Sequence, residues 1–185
     1  MARRFCVVGN SGSGKTHLAR RLSARLGLPL LELDSLNHRP GWQEAPVEEF
    51  RAEVRRVLGG YDRSHDGWVV DGNYRNRIAD ILGADTFVWL DYPRRVVAPR
   101  IVGRTLGRLL LRRELWNGNR ERWRALVNRD PRENIVLWSF TKHGEYRRAY
   151  ETESAADGHA TWIRLRSPPE ADRWIASVST DETRR

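Results

Sequence analysis

The chain has 185 residues, of which 39% are hydrophobic, and a formal net charge of +9. This length predicts one domain with its own core, and the hydrophobic content is typical of a globular rather than a disordered protein. No apolar run approaches the roughly 20 residues of a membrane span, and the N-terminus has no signal-peptide pattern, so we expect a cytoplasmic protein without a membrane partner. The single cysteine, Cys6, excludes a disulfide within the chain.

The excess positive charge is concentrated in one stretch. Residues 92–129 contain eleven arginines against two acidic residues, Glu114 and Glu121, and the rest of the chain is neutral. Only Lys15 and Lys142 among the 33 basic residues are lysines. A local excess of positive charge predicts a local anionic partner.

Short apolar runs alternate with helical patterns along the chain. The runs predict strands at 5–8, 29–33, 68–70, 86–90 and 161–165. The helical spacing of apolar residues predicts helices at 15–26, 47–58, 75–82, 94–113, 121–128, 134–150 and 169–178. This alternation predicts an α/β fold, with a five-stranded parallel sheet flanked by helices and ligands at the carboxyl edge of the strands.

A phosphate-binding motif of the form GxxxxGK[ST] follows the first predicted strand. It reads Gly9-Asn10-Ser11-Gly12-Ser13-Gly14-Lys15-Thr16 and leads into the first predicted helix. Glycines let successive backbone N–H groups face one anion, and the helix N-terminus adds positive potential. Lys15 can then reach the β- and γ-phosphates, and the Thr16 hydroxyl can bind Mg²⁺. The motif predicts ATP and Mg²⁺ as cofactors; the alternative is a glycine-rich turn that binds nothing.

Two carboxylates follow the second and third predicted strands. Asp34 comes directly after 30–33, and Asp71 comes directly after 68–70. At a shared sheet edge, one such carboxylate can hold metal-bound water while the other orients or deprotonates an acceptor hydroxyl. The alternative for either carboxylate is that it only caps a loop and binds no ligand. Beside a phosphate loop we favour Asp71, with Thr16, for the metal and Asp34 for the acceptor.

Two further runs resemble the adenylate-kinase family. Asp71-Gly72-Asn73-Tyr74-Arg75 is similar to the Asp-Gly-Phe-Pro-Arg run of that family, and Arg100-Ile101-Val102-Gly103-Arg104 to the run with which those kinases enter their lid. The chain also resembles the bacterial adenylate-kinase-like proteins called topology-modulation proteins, which share Asp-Gly-Asn-Tyr. The resemblance covers roughly 3–104 and the last strand and helix, and it implies a P-loop fold of the nucleotide-kinase type.

The resemblance also implies roles for residues outside the phosphate loop. Asp71 would hold Mg²⁺ through water, and Arg75 would contact the phosphate of the acceptor. Arg100 would stack on the adenine face, and Arg104 would touch the transferring phosphoryl group. Backbone groups around Ser167 would meet the adenine edge.

The segment after the second strand departs from that family. In place of Thr-Gly-Asp-x-x-Arg it reads Leu33-Asp34-Ser35-Leu36-Asn37-His38-Arg39, in which Asp34 and Arg39 have counterparts. An acid at this place is closer to shikimate-kinase-like enzymes, where it handles a substrate hydroxyl, so AMP is disfavoured as the acceptor. Of the five histidines, which show no metal-ligand spacing, only His38 lies near a candidate site residue.

In place of the lid that adenylate kinases carry, we expect an arginine-rich helical lid. Arg100, Arg104, Arg108 and Arg112 recur every four residues and share one helix face, which predicts either an anion against them or a solvated basic surface. The run 117–119 predicts a turn at the tip of a closing lid, and Trp116 and Trp123 either pack or stack on bases. We expect one domain over 1–178, with its core at 1–104 and 130–178, a lid insertion at 105–129 and a flexible tail at 179–185.

The leading hypothesis is an ATP-dependent kinase that moves the γ-phosphate of MgATP to a small, anionic or nucleotide-like acceptor. Lys15, Asp34 and Arg104 would be catalytic. The acceptor side would consist of Asp34, Arg39, Asp71 and Arg75. The alternative is a nucleotide-gated nucleic-acid-binding ATPase that uses 92–129, although no nucleic-acid motif is present. An NTPase switch for a protein partner is a third possibility, and we expect a monomer or a small homo-oligomer.

Overall fold

The structure, a computed structural model, describes residues 3–111, 114–119, 128, 130 and 134–178. Its strands are β1 (Arg4–Gly9), β2 (Leu30–Glu32), β3 (Trp68–Asp71), β4 (Thr86–Leu90) and β5 (Thr161–Leu165). They form one five-stranded sheet in the order β2-β3-β1-β4-β5, and every pairing is parallel. The α/β fold predicted from the sequence is confirmed.

Helices cover both faces of this sheet. They are α1 (Lys15–Leu26), α2 (Leu33–Asn37), α3 (Val47–Ser64), α4 (Arg75–Leu82), α5 (Arg94–Leu110), α6 (Ile135–Ala156) and α7 (Pro168–Ser177). Side chains of α1, α5 and α7 form one core cluster with the sheet, and side chains of α3, α4 and α6 form the other. Among the described helices, none combines the length and the apolar character that crossing a bilayer requires.

The central strand explains why the sheet needs two covering layers. Cys6, Val7 and Val8 of β1 are fully buried, and Val7 belongs to the first core cluster while its two neighbours belong to the second. A strand that is apolar on both faces is typical of a parallel sheet enclosed by helices.

Most predicted elements are confirmed, and the main difference follows β2. The sequence predicts a strand over 29–33, but β2 ends at Glu32 and Leu33 begins a five-residue helix, α2. The Ser35 hydroxyl donates to the Glu32 carbonyl at 2.6 Å, which turns the chain, and Leu33 is buried in the second core cluster. Five residues are too few to show an apolar period, so sequence pattern could not indicate this helix.

Four helical predictions differ from the structure at their ends, and the smallest difference is that the helix predicted for 169–178 spans Pro168–Ser177. The helix predicted for 47–58 continues to Ser64, because Tyr61 packs on the same core cluster as the preceding turns. The helix predicted for 134–150 spans Ile135–Ala156. The helix predicted for 94–113 is observed to Leu110, and residues 112–113 lie outside the described residues. The predicted helix 121–128, of which only residue 128 is described, and the tail 179–185 also lie outside them.

The strand register brings the predicted site residues to one edge of the sheet. Asp71 at the end of β3 is paired with Val7 of β1 and with Glu32 of β2, and Gly9 is paired with Leu90 of β4. Because the strands are parallel, the chain leaves each of them at the same edge. The phosphate loop, α2 and the segment after β3 therefore begin side by side.

Candidate active site

The phosphate loop at 9–16 is shaped by three glycines with positive φ. Their φ angles are 144° at Gly9, 77° at Gly12 and 93° at Gly14. A Cβ atom at Gly12 would lie 2.4 Å from Cγ1 of Ile101, and one at Gly9 would lie 2.6 Å from the Leu90 carbonyl oxygen. Side chains are thus excluded at both positions, and the backbone of the loop packs directly on α5 and β4.

Lys15 is the first residue of α1, and its ammonium group points back along the loop. Its Nζ donates a hydrogen bond to the Asn10 carbonyl oxygen at 3.3 Å. Burial lowers the pKa of Lys15, the carboxylates of Asp71 and Asp34 act in the opposite direction, and Arg104 adds to the lowering. These four charged groups are therefore close enough to act on each other.

Thr16 and Asp71 form the candidate metal site. The Thr16 hydroxyl donates to Oδ2 of Asp71 at 2.5 Å, and Oδ1 of Asp71 is buried without a hydrogen-bond partner. Burial raises the pKa of Asp71 to about 6, although Lys15 and Thr16 both oppose the shift. The site thus offers an orphaned carboxylate oxygen beside a hydroxyl oxygen.

These two oxygens fit Mg²⁺, which usually takes one or two protein ligands and completes its shell with water and substrate phosphates. Among the described residues, no group of three or more His, Cys, Asp or Glu side chains could hold a metal alone. The donor set therefore suits a metal that arrives with a nucleotide.

Arginines of α5 reach the same loop. Arg104 donates from Nη2 to the Ser11 hydroxyl at 3.0 Å, and Arg100 donates from Nη1 to the Ser13 carbonyl at 3.4 Å. The Arg100 guanidinium also lies 5.8 Å from the centre of the Tyr92 ring. The structure therefore places Arg100 and Arg104 at the phosphate loop, while Arg112 lies outside the described residues. The adenine contact implied for Arg100 and the phosphoryl contact implied for Arg104 stay predictions.

Asp34 lies on α2 with its carboxylate partly open to solvent. The Tyr74 hydroxyl donates to its Oδ1 at 2.7 Å, and Nε2 of His38 lies 3.8 Å from the same oxygen. Burial, and then the charge of Asp34, raise the pKa of the Tyr74 phenol, so it remains a hydrogen-bond donor. The Asp34 side chain keeps 41% of its surface exposed, so an oxygen remains accessible to a ligand.

A turn from the predicted lid packs on this side of the site. The turn is a single 3-10 turn, Trp116–Gly118, and Nδ2 of Asn117 donates to the His38 carbonyl at 2.5 Å. Asn119 is buried; its Nδ2 donates to the Arg39 carbonyl, and its Oδ1 accepts from the Trp42 N–H, both at 2.9 Å. The predicted turn at 117–119 is present, and it is joined to the segment 38–42.

Two of the predicted binding residues, Arg39 and Ser167, have partners within the chain. The Arg39 guanidinium pairs with Glu49 of α3, and the Ser167 hydroxyl accepts the N–H of Glu170 as the N-cap of α7. A binding role for either residue toward a ligand stays a prediction.

Arg75 is not brought to the phosphate loop. Its Nε donates to Oε2 of Glu153 in α6 at 2.5 Å, and its guanidinium lies 4.1 Å from the centre of the Phe87 ring. The contact between Arg75 and the acceptor phosphate that the resemblance implied stays a prediction, and in the structure this arginine joins α4 to α6. The reason is the carboxylate of Glu153, which is 78 positions away in the sequence.

Sequence reasoning also missed two side chains of the Asp-Gly-Asn-Tyr run. Tyr74 holds Asp34, and Asn73 forms hydrogen bonds with both the N–H and the carbonyl of Gly9. The run itself was visible in the sequence. Its contacts were not, because each spans at least 40 positions.

Comparisons with known proteins establish the fold. No protein-family model and no curated protein sequence matches the chain. An unliganded sugar kinase from Janibacter sp. HTCC2649 superposes with a TM-score of 0.51 and 19% identity over 95% of this chain and 94% of that one. Shikimate kinase from Bacteroides thetaiotaomicron superposes with a TM-score of 0.52 and 14% identity over 95% of both. Membership of the adenylate-kinase group stays a prediction; the chain shares the fold of these two structures, a parallel α/β sheet enclosed by helices.

Proposed function

We propose that this chain is an ATP-dependent kinase that transfers the γ-phosphoryl group of MgATP to a hydroxyl group of a small acceptor. The observation that carries this proposal is the convergence of four groups at one sheet edge: Lys15 on the loop, the Thr16–Asp71 pair, Asp34 and Arg104. The names of the two similar structures, a sugar kinase and a shikimate kinase, support the same class of reaction.

Each of these groups has a separate role in an in-line displacement at the γ-phosphorus. The backbone of 9–14 and the Lys15 ammonium bind the β- and γ-phosphates, and Arg104 offsets the negative charge of the phosphoryl oxygens. Thr16 and Asp71 would hold Mg²⁺, which supplies further charge neutralisation and phosphate alignment. The acceptor oxygen bonds to the γ-phosphorus as the bridging bond to the β-phosphate breaks, ADP leaves, and Asp34 takes the hydroxyl proton.

The acceptor side favours a hydroxyl-bearing metabolite over a nucleoside monophosphate. Asp34 is held by Tyr74 yet stays accessible, which suits a carboxylate that orients a hydroxyl group. Arg39 and Arg75, the two arginines that the sequence suggested for the acceptor side, are paired with Glu49 and Glu153. A phosphate group on the acceptor would have to compete with these carboxylates.

The experiment that tests this proposal is ADP release from MgATP with pooled acceptors: neutral sugars and polyols, hydroxy acids, nucleosides and nucleoside monophosphates. Lys15→Ala serves as the blank. We expect Lys15-dependent release with a pool of hydroxy compounds. Release only with nucleoside monophosphates would overturn the choice of acceptor. Stimulation only by single-stranded DNA or RNA would overturn the kinase and favour the nucleic-acid-binding ATPase.

A further inference from the structure

A side chain outside the phosphate loop grips the first residue of that loop. Asn73 accepts the Gly9 N–H at its Oδ1 (3.0 Å) and donates from its Nδ2 to the Gly9 carbonyl (2.6 Å). One amide group therefore pairs with both polar groups of one residue, as neighbouring strands pair with each other. Gly9 is also the position where a Cβ atom would collide with Leu90, so the loop is fixed there from two sides.

A buried tyrosine of α6 fixes the orientation of this amide. The Tyr150 hydroxyl donates to Oδ1 of Asn73 at 3.1 Å. Two donors, the Gly9 N–H and the Tyr150 hydroxyl, thus meet the same oxygen and define which end of the amide carries it. Tyr150 is 2% exposed and its ring stacks on that of Tyr146 at 6.0 Å, so it has little freedom to turn away.

Ion pairs hold α6 in place on either side of Tyr150. Glu153, one turn further along, pairs with Arg75, which precedes β4 in the chain. Arg147, one turn before, pairs at 2.9 Å with the buried Asp91 that follows β4. α6 is therefore held to the segments before and after β4, and its Tyr150 hydrogen-bonds to the Asn73 amide that binds Gly9 at the end of β1.

We propose that Asn73 is a positioning residue for phosphate binding, and that Tyr150 transmits the position of α6 to the phosphate loop through it. The side-chain amide of Asn73 contacts Gly9 and Tyr150. It fixes the orientation of the Gly9 peptide groups, and this orientation determines where the following N–H groups of the loop point. The inference rests on the proposed function only in taking a nucleoside phosphate as the ligand of the loop.

The experiment measures MgADP affinity by calorimetry for wild type, Asn73→Ala, Asn73→Asp, Tyr150→Phe and the double variant Asn73→Ala/Tyr150→Phe. Two variants serve as matched controls. Asn76→Ala removes an exposed amide of α4, and Tyr61→Phe removes a hydroxyl that donates to the Leu30 carbonyl in β2. Amide hydrogen exchange over 9–14, measured without nucleotide, gives a second readout that does not depend on ligand.

We expect Asn73→Ala to weaken MgADP binding about tenfold, which corresponds to about 1.4 kcal/mol. Asn73→Asp should bind more weakly still, because its carboxylate cannot donate to the Gly9 carbonyl and repels the phosphates. A merely structural role predicts the reverse order, since aspartate preserves the shape and two of the three hydrogen bonds. Tyr150→Phe should weaken binding about threefold, within the range of one neutral hydrogen bond.

The double variant tests the route through Asn73. If Tyr150 acts only through Asn73, the double variant binds as Asn73→Ala does, and hydrogen exchange at 9–14 is equally fast in both. Additive losses, or MgADP affinities of the Asn73 variants equal to that of wild type, would overturn the proposal. Should Asn73→Ala fail to fold, Tyr150→Phe and Asn73→Asp decide by the same measurements. A wild-type chain that binds no MgADP would instead refute the proposed function.

Discussion

The two sides of the candidate site are built by different means. On the nucleotide side, the loop at 9–16 packs its glycine backbone on α5 and β4 at distances that leave no room for a side chain. On the acceptor side, the segment 34–42 is joined to the turn at 116–118 by the side-chain amides of Asn117 and Asn119. The first side depends on backbone shape, and the second depends on a few polar side chains.

This difference bears on how specificity could change. A site made of backbone contacts tolerates few substitutions, which suits a phosphate group that every nucleoside triphosphate presents. A site made of side-chain amides can change its partner by single substitutions. We therefore expect variants on the nucleotide side to lower kcat strongly, and variants on the acceptor side to change mainly the KM for the acceptor.

The largest expected effect is that of Lys15→Ala. Under the proposed function Lys15 binds the β- and γ-phosphates, so removing its ammonium should lower kcat by about a hundredfold to a thousandfold, the usual loss for one donor to a developing charge. ADP release in the presence of the active acceptor pool measures this effect. Lys142→Ala is the matched control, because the only other lysine pairs with Glu145 on the surface of α6. Equal rates for the two variants would contradict the nucleotide side as described.

The second prediction is that Gly12→Ala destabilises the phosphate loop at 9–16. It combines a positive φ with a Cβ placed 2.4 Å from Ile101, so we expect the free energy of unfolding to fall by about 3 kcal/mol. Gly27→Ala is the control, since its φ is 65° but no atom lies within 4 Å of a Cβ there, and it should lose about 1 kcal/mol. Urea denaturation measures both. Similar losses would mean that α5 does not pack on the loop.

The pH dependence of stability should show that the buried carboxyl group of Asp71 has a raised pKa. Folding raises its pKa from 3.8 to about 6, so the stability that it contributes is complete below about pH 4 and is lost as the pH rises through about 6. Without nucleotide and in the presence of a chelator, Asp71→Asn should gain stability relative to wild type between pH 4 and 7.

Urea denaturation of both proteins across this pH range is the measurement. Mg²⁺-dependent nucleotide affinity of the wild type should rise over the same interval, since binding requires the carboxylate. Parallel stability curves for wild type and Asp71→Asn would refute the assignment.

The smallest expected effect is that of Asn119→Ala on the acceptor side. It removes the hydrogen bonds to the Arg39 carbonyl and the Trp42 N–H and should cost about 2 kcal/mol of local stability. We expect faster hydrogen exchange over 38–42 and a severalfold higher KM for the acceptor, with the KM for ATP unchanged. Asn76→Ala, an exposed asparagine, is the control. An equal rise in both KM values would contradict the separation of the two sides.

The nucleotide side could be predicted from the sequence because its signals are local. The motif 9–16 and the helix Lys15–Leu26 were both predicted with their observed bounds. β4 and β5 were also predicted without error, since each is a continuous apolar or alternating run between turn residues. Local patterns suffice wherever the backbone itself forms the structure.

The acceptor side could not be predicted in the same way because its contacts are distant in sequence. Nothing local reveals that Glu153 attracts Arg75, or that Tyr74 holds Asp34, 40 positions before it. The short helix α2 also arises from one hydroxyl contact, that of Ser35, rather than from a repeated pattern. A resemblance in sequence indicates which positions correspond, but it does not indicate which distant residues those positions contact.

The single cysteine has a practical consequence for following this molecule in solution. Cys6 is fully buried in β1, and its burial raises the pKa of the thiol to about 12, so almost no thiolate forms near neutral pH. Maleimide and iodoacetamide reagents should leave the natural chain unlabelled. A pair of dyes on Val47→Cys and Leu110→Cys, both exposed in the wild type, would then report the distance between the start of α3 and the end of α5 without background.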